Sequence, residues 1–299
     1  MIEHLRVIGV VAHPTMPTAS AAQARLAEIA ARRDIALVSP PGNQNAGNQN
    51  AGTKDAGDKN PDLVIALGGD GTILRAAQVA VSFGVPLIGA NLGKLGFLST
   101  GDAEHLEPMI DALIAGRYRI ERRMMLEARA SQPGEKFEPV AALNEVVLER
   151  GTLSRVVSIN VSVGGEAVAT YIADGFIVST PTGSTAYSLS AGGPVVEPEV
   201  QAMILTSVSA HTPLWRSIVV GPNRTVTLEC PDDRVAFSAD GQAVEILEAG
   251  NRLDITPHAS SLLLVTFDDI GFYDKLRSRF RIEPGFHPTP AASPAEGSV

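Results

Sequence analysis

The chain has a single cysteine, Cys230, among 299 residues. A lone thiol forms no internal disulfide, which excludes a disulfide-stapled secreted scaffold and makes the cytoplasm the expected location. Long apolar runs are missing as well. None approaches the ~18 residues that cross a bilayer, and Met1-Ile2-Glu3-His4 lacks the basic head and apolar body of a signal peptide. Positive charge is in deficit, with 24 Lys and Arg against 33 Asp and Glu for a net charge of −9. An acidic chain repels nucleic acid and anionic membrane at long range, so neither is an expected partner. A polyanionic ligand must then be held by local N–H donors, helix N-termini or a metal cation. Two nucleotide signatures are also absent: no Gly-x-x-x-x-Gly-Lys-Ser/Thr segment cradles a triphosphate, and no Gly-x-Gly-x-x-Gly marks a dehydrogenase cofactor site. His4, His13, His105, His211, His258 and His287 are scattered without metal-ligand spacing.

What is present suffices for a sizeable core, since 44% of the residues are hydrophobic. Single cores stop growing near ~250–300 residues, so two domains are expected. Val7-Ile8-Gly9-Val10-Val11 is a β-rich run, residues 21–33 place Leu26 and Ile29 on one face of an Ala-rich helix, and Ile35-Ala36-Leu37-Val38 extends again. Strand, helix, strand is the alternation of a parallel α/β sheet. Between about 40 and 60 an Asn-Gln-Asn-Ala-Gly repeat offers nothing to bury and reads as a flexible surface insertion. Residues 63–67 form a buried strand, after which Thr72 is placed to cap a helix from Ile73 to about Ser82. Residues 85–89 are the next strand, 91–98 a Gly-punctuated loop, and 104–115 an amphipathic helix stopped by Gly116. The expectation for 1–117 is a Rossmann-like α/β domain with a parallel sheet.

From about Tyr118 the texture changes. Short β-like runs at 124–130, 141–148, 156–163, 168–172, 176–179, 218–220, 226–229 and 262–267 alternate with turn residues, and helix signals almost vanish. This predicts an all-β sandwich domain over 118–267. The stretch Phe272-Tyr273-Asp274-Lys275-Leu276 is expected to return to the first domain, completing it over about 268–283. The Pro/Ala/Ser-rich residues 284–299 are expected to be a disordered tail.

Two segments carry the chemistry. Gly68-Gly69-Asp70-Gly71-Thr72 puts one carboxylate in a turn where side chains are nearly absent and backbone N–H groups are free. A strand ending in a glycine turn that opens a helix is where α/β proteins hold phosphates. Taken alone, the same residues also suit an Asx turn shaping a tight loop. The second segment begins Asp174-Gly175-Phe176 and continues through Thr180-Pro181-Thr182-Gly183-Ser184-Thr185-Ala186-Tyr187-Ser188-Leu189-Ser190. Small hydroxyls and free N–H groups at a helix start wrap a ribose or phosphate, and Tyr187 offers a ring to an adenine. A Ser/Thr-rich surface turn is the plainer alternative, as a hairpin turn is for Asp174-Gly175.

Together these segments resemble the NAD kinases, enzymes that phosphorylate the adenosine 2′-hydroxyl of NAD to make NADP. The resemblance covers about 7–276 and includes Asn91-Leu92-Gly93-Lys94-Leu95-Gly96-Phe97-Leu98 and the spacing of His211, Thr212 and Arg216. It implies that Asp70 is the catalytic residue and that Gly68, Gly69, Gly71 and Thr72 form the phosphate-donor loop. Asn144-Glu145 would hold the adenine and ribose end of the dinucleotide, and Arg155 would sit near phosphate, unless it is a solvated loop arginine. Gly71, Phe97, Thr182, Thr185, Ala186, Tyr187, Ser188, Leu189 and Ser190 are further implied contacts. Asp174 belongs to the nicotinamide side, and Asp240 with Gln242 would complete the pocket, reaching it from the same or a neighbouring subunit. Ile172 departs from a frequent arginine and 210–215 from a usual Pro-His-Ser-Leu pattern, which leaves NAD against NADH open.

Phosphoryl transfer passes through a loose transition state, so positioning and charge neutralisation carry most of the catalysis. A free aspartate, with pKa ~3.9, is a weak base in the ground state, but the acceptor hydroxyl acidifies as bonding proceeds. The expected partners are NAD and ATP or polyphosphate. Mg²⁺ is expected to be bridged by the donor phosphates and to touch Asp70, and the resemblance implies a homodimer or homotetramer. The Gly-Gly-Asp-Gly motif is shared with diacylglycerol and sphingosine kinases and resembles that of phosphofructokinases. A lipid kinase and a catalytically silent dinucleotide sensor therefore stand as alternatives.

Overall fold

A computed structural model describes residues 4–40, 60–93, 96–131, 137–151, 156–211, 216–267 and 271–283. The expected insertion at 40–60 and the tail at 284–299 therefore fall almost wholly outside the described residues.

The first half is built around a seven-stranded sheet. Its order is Ala36–Val38, Val7–Ala12, Leu63–Leu67, Leu87–Asn91, Leu262–Thr266, Arg119–Arg123, with Gly101–Asp102 alongside Leu87–Asn91. All pairings are parallel except that of Arg119–Arg123 with Leu262–Thr266. Strands Leu63–Leu67 and Leu87–Asn91 are buried at every residue, as parallel strands covered on both faces require. Helices Pro17–Ala31 and Leu106–Ile114 cover one face through Leu26, Ile29, Met109 and Ile110. Helix Asp70–Phe83 covers the other through Ile73, Ala76, Ala77 and Ala80, where Met125 and Leu143 of the second half join the same core. Gly84, at φ 67°, ends that helix in the left-handed conformation that a side chain would strain.

The rest of the chain forms two six-stranded antiparallel sheets. One runs Glu166–Ala173, Val157–Val163, Val226–Glu229, Arg252–Pro257, Leu126–Ser131, Val140–Ala142. The other runs Ile218–Val220, Met203–Val208, Gly175–Ser179, Glu145–Arg150, Val235–Ala239, Gln242–Leu247. Alternate residues point inward: Val157, Ile159 and Val161 from the first meet Phe176, Val178 and Phe237 from the second in one apolar core. Tyr171 and Phe176 sit in it with ring centroids 4.9 Å apart.

The α/β-plus-β-sandwich reading matches this architecture, with one correction to the residues assigned to each part. Arg119–Arg123 and Leu262–Thr266, read from sequence as the ends of the β half, pair with each other inside the first sheet. The strand Arg119–Arg123 is so rich in charge that no hydrophobic alternation announces it.

Candidate functional site

Gly68 turns the chain out of strand Leu63–Leu67, and the extended Gly69 starts helix Asp70–Phe83. A Cβ at Gly68 would stand 2.4 Å from Thr72 Oγ1, whereas one at Gly69 or Gly71 would meet nothing within 4 Å. The loop is thus packed on one side and open on the other. Asp70 opens the helix, where a carboxylate suits the positive end of the helix dipole. Its Oδ2 accepts the Phe97 N–H and its Oδ1 the Leu98 N–H, each at 3.3 Å. Gly96 lies against the same group, since a Cβ there would fall 2.1 Å from Asp70 Oδ1. Thr72 is not the cap. It lies within the first turn, and its hydroxyl accepts from Arg75 Nη2 at 3.2 Å.

The Asn144-Glu145 pair opens strand Glu145–Arg150, and Asp240 fixes it there. Asp240 Oδ2 accepts the Leu143 N–H at 2.8 Å, while Oδ1 accepts those of Asn144 at 2.7 Å and Glu145 at 3.3 Å. Asp240 and Gly241, at φ 51° and 72°, form the turn between strands Val235–Ala239 and Gln242–Leu247. Asp240, expected to complete the pocket from the same or a neighbouring subunit, thus meets the strand start of its own chain. Its carboxylate is spent on three N–H groups of its own chain, so it acts by bracing Asn144 and Glu145. Gln78, two turns into the Asp70 helix, donates to the Ala141 carbonyl at 2.9 Å and hydrogen-bonds Asp240.

The 180–187 loop closes on the same strand start. Thr180 donates its N–H to the Asn144 carbonyl at 2.9 Å and its hydroxyl to the Leu143 carbonyl at 2.6 Å. Gly183 passes so close that a Cβ would lie 2.0 Å from the Asn144 oxygen. The Tyr187 N–H donates to the Glu145 carboxyl. Helix 70–83, strand 145–150 and the 180–187 loop are therefore joined in one hydrogen-bonded unit. At its centre, burial and then the Asp240 charge push the Glu145 carboxyl up to about 8. Its Oε2 is buried with no hydrogen-bond partner, so at neutral pH a protonated carboxyl with one free oxygen faces this junction.

The remaining predicted residues divide by exposure. Tyr187 is 41% exposed, Ser190 is exposed, and Thr185, Ala186 and Leu189 are half-buried. Ser188 is fully buried with its Oγ 3.2 Å from Thr206 Oγ1, which lies 2.9 Å from Ser217 Oγ. That hydroxyl chain holds the loop at Ser188. Thr182 is buried and accepts from Arg123 Nη1 at 3.5 Å. Asp174 is not a hairpin residue: it is the corner between strands Glu166–Ala173 and Gly175–Ser179 of different sheets, and its Oδ1 lies 3.1 Å from Arg150 Nη1. Phe97 is half-buried and Gln242 is exposed at the start of its strand. Arg155, Lys94, Leu95 and Thr212 lie outside the described residues.

Comparison with known proteins decides the lineage. The sequence model of the ATP-NAD kinase N-terminal domain matches residues 8–118 and that of the C-terminal domain residues 143–267. An NAD kinase of Heliobacterium modesticaldum is 41% identical over 222 residues, 74% of this chain and 78% of that protein. The chain belongs to the NAD kinase family. A Mycobacterium leprae NAD kinase is 40% identical over 224 residues, 74% of this chain and 72% of that one. Among solved structures, an NAD kinase from Archaeoglobus fulgidus in complex with ATP matches with TM-score 0.68 and 26% identity over 91% of this chain and 99% of that chain. A yeast NADH kinase complexed with NADH shares the fold, with TM-score 0.83 and 22% identity over 96% of this chain and 90% of that one.

Family membership makes this protein a phosphotransferase, and it directs attention to three residues near the motifs that sequence reasoning left out. Gln78 carries no signal, being one amide on a helix. Arg123 is buried, is ion-paired with Glu121 and reaches Thr182. Lys275, also buried, donates to the Ser99 carbonyl at 2.7 Å and the Phe97 carbonyl at 3.2 Å. A lysine one turn behind two aromatic residues in a short helix was the available hint.

Proposed function

We propose that this chain transfers the terminal phosphoryl group of ATP to the adenosine 2′-hydroxyl of NAD, with Asp70 as the residue that receives the hydroxyl proton. The observation that carries the reading is the Asp70 carboxylate, fixed by two backbone N–H groups beside glycines whose outer side is open. Each oxygen keeps lone pairs for an acceptor hydroxyl. The orientation is set before the substrate arrives, which is where a loose transition state gains most. Asp70 takes the proton late, as the bond to phosphorus forms. The open N–H groups around Gly69 and Gly71, at the start of helix Asp70–Phe83, are suited to the donor phosphates. The joined strand start and 180–187 loop are suited to the adenosine: Asn144, Glu145, Thr185 and Ala186 would line it, and the exposed Tyr187 ring is available to stack on it. Asp174 and Gln242 extend the surface toward the nicotinamide end.

Among the described residues no group of three or more His, Cys, Asp and Glu side chains is arranged to hold a metal ion. A single carboxylate beside open glycines fits a Mg²⁺ ion brought in with the donor phosphates, which Asp70 would help to hold. When bound, that ion neutralises charge on the phosphates. Inorganic polyphosphate presents the same phosphate chemistry to the loop as ATP. We place the protein in the cytoplasm, consistent with one thiol and with no described helix long and apolar enough to cross a membrane. Assembly as a homodimer or homotetramer is part of the proposal, and sedimentation as a monomer at working concentration would overturn that part.

The test is incubation with Mg²⁺, either ATP or polyphosphate, and either NAD or a diacylglycerol, read as mass gain of the acceptor. Asp70→Asn should keep NAD affinity and lower turnover by ~10²–10⁴-fold, the span of a general base. Near-normal turnover removes Asp70 from the role. A silent sensor would bind NAD with no mass gain, and a lipid kinase would phosphorylate a diacylglycerol instead.

A further inference from the structure

The C-terminal helix Phe272–Phe280 places a buried cation behind the loop that holds Asp70. Lys275 Nζ donates to the carbonyls of Phe97 and Ser99, so two peptide groups of one short loop converge on one ammonium. The Phe97 carbonyl and the Leu98 N–H belong to the same peptide unit. Lys275 meets that unit at its oxygen, and Asp70 Oδ1 accepts from it at its N–H. Ammonium, carbonyl, N–H and carboxylate are thus in series through a single planar group. A charge on the oxygen side of a peptide strengthens its N–H as a donor, so the ammonium favours the place of the carboxylate.

Three further observations point the same way. The Phe97 ring lies 6.4 Å from those of Phe272 and Phe280, fastening the loop to the same helix by apolar contact. The Ser99 hydroxyl accepts the Gly96 N–H at 2.9 Å and donates to its carbonyl at 3.0 Å, which keeps the turn closed beneath Asp70. Burial and the Arg123 charge pull the Lys275 ammonium down to about 8, with Glu121 and then Asp70 acting against them. A buried cation is costly to keep, and a fold that needed only to tie two carbonyls together would be served by a neutral donor.

We propose that Lys275 is a positioning residue for phosphoryl transfer, orienting Asp70 through the peptide that joins Phe97 to Leu98. The proposal rests on the function given above for Asp70. It predicts that substitution of Lys275 changes the rate of transfer and leaves dinucleotide binding alone, because the loop's N–H groups are bonded to the Asp70 carboxylate.

The experiment pairs steady-state kinetics with amide hydrogen exchange on the full-length chain. Lys275→Met should lower kcat about 10²-fold, the usual effect of a misplaced catalytic group, and leave KM for NAD unchanged. Exchange at residues 96–99 should rise while that at 143–150 does not. Lys275→Gln keeps N–H donors without the charge; it should retain more activity than the methionine variant, and it serves in its place should that variant not fold. An unchanged kcat overturns the proposal. So does a fall in kcat without faster exchange at 96–99, which would put Lys275 directly on the reacting groups, or a change confined to KM. If the wild-type chain phosphorylates no dinucleotide, the proposed function fails, and exchange at 96–99 alone decides whether Lys275 holds the loop.

Discussion

Gly96 and Gly183 both leave no room for a side chain, yet they crowd different kinds of atom, and that difference sorts their roles. At Gly96 the neighbour is the carboxylate end of the Asp70 side chain, which a Cβ would displace by rotation. Gly96→Ala should therefore push the carboxylate off its N–H donors, lowering kcat about 10²-fold with little change in the melting temperature. At Gly183 the neighbour is the backbone carbonyl of Asn144, which cannot step aside. Gly183→Ala should destabilise the fold by ~1–3 kcal/mol, the usual cost of overpacking, as read by urea unfolding. Glu145 makes a prediction of another kind. An acid whose pKa is raised from 4.5 to about 8 on folding binds its proton more tightly in the native state, so it makes stability decline as the pH rises between those values. Glu145→Gln keeps the neutral shape throughout. Its thermal stability should equal that of the wild type below pH ~4.5 and exceed it increasingly toward pH ~8; parallel profiles would show that the carboxyl is not held protonated.

At the scale of elements, helix Asp70–Phe83 does two jobs at once. Its first residue supplies the carboxylate, and Gln78 two turns later touches Ala141 and Asp240, which set the Asn144-Glu145 strand start. Gln78→Leu should raise KM for NAD about fivefold, the equivalent of one ~1 kcal/mol hydrogen bond, with a smaller effect on kcat. Equal effects on both constants would mean that the helix shifts as a whole. Much of this half of the site was legible in the sequence, because glycine turns after apolar runs mark strand ends, and the Asp70, Asn144-Glu145 and 180–187 segments each follow such a run. The partners of those segments were not legible. Asp240 meets Asn144 across 96 positions of chain and Lys275 meets Phe97 across 178, and local periodicity says nothing about contacts so distant. Strand Arg119–Arg123 escaped notice for a related reason, since neighbours in the sheet, rather than its own alternation, make it a strand.

The molecule as a whole is tied together by its late segments. Strand Leu262–Thr266 lies between Leu87–Asn91 and Arg119–Arg123 in the first sheet, and helix Phe272–Phe280 follows it to the Asp70 loop. The N-terminal family match ends at 118, so a boundary drawn from sequence likeness cuts the sheet short of two strands. A fragment of residues 4–117 would lose the pairing of Leu87 with Leu264 and the apolar cover that Leu262 and Leu264 give Val64, Ala66 and Leu87, and it should aggregate in light scattering where the whole chain stays dispersed. The late arrival of Leu262–Thr266, inserted between Leu87–Asn91 and Arg119–Arg123, also bears on synthesis. A ribosome working from the amino end lays down the acid and its glycines long before it delivers Leu262–Thr266, so their sheet stays incomplete until most of the chain has been made.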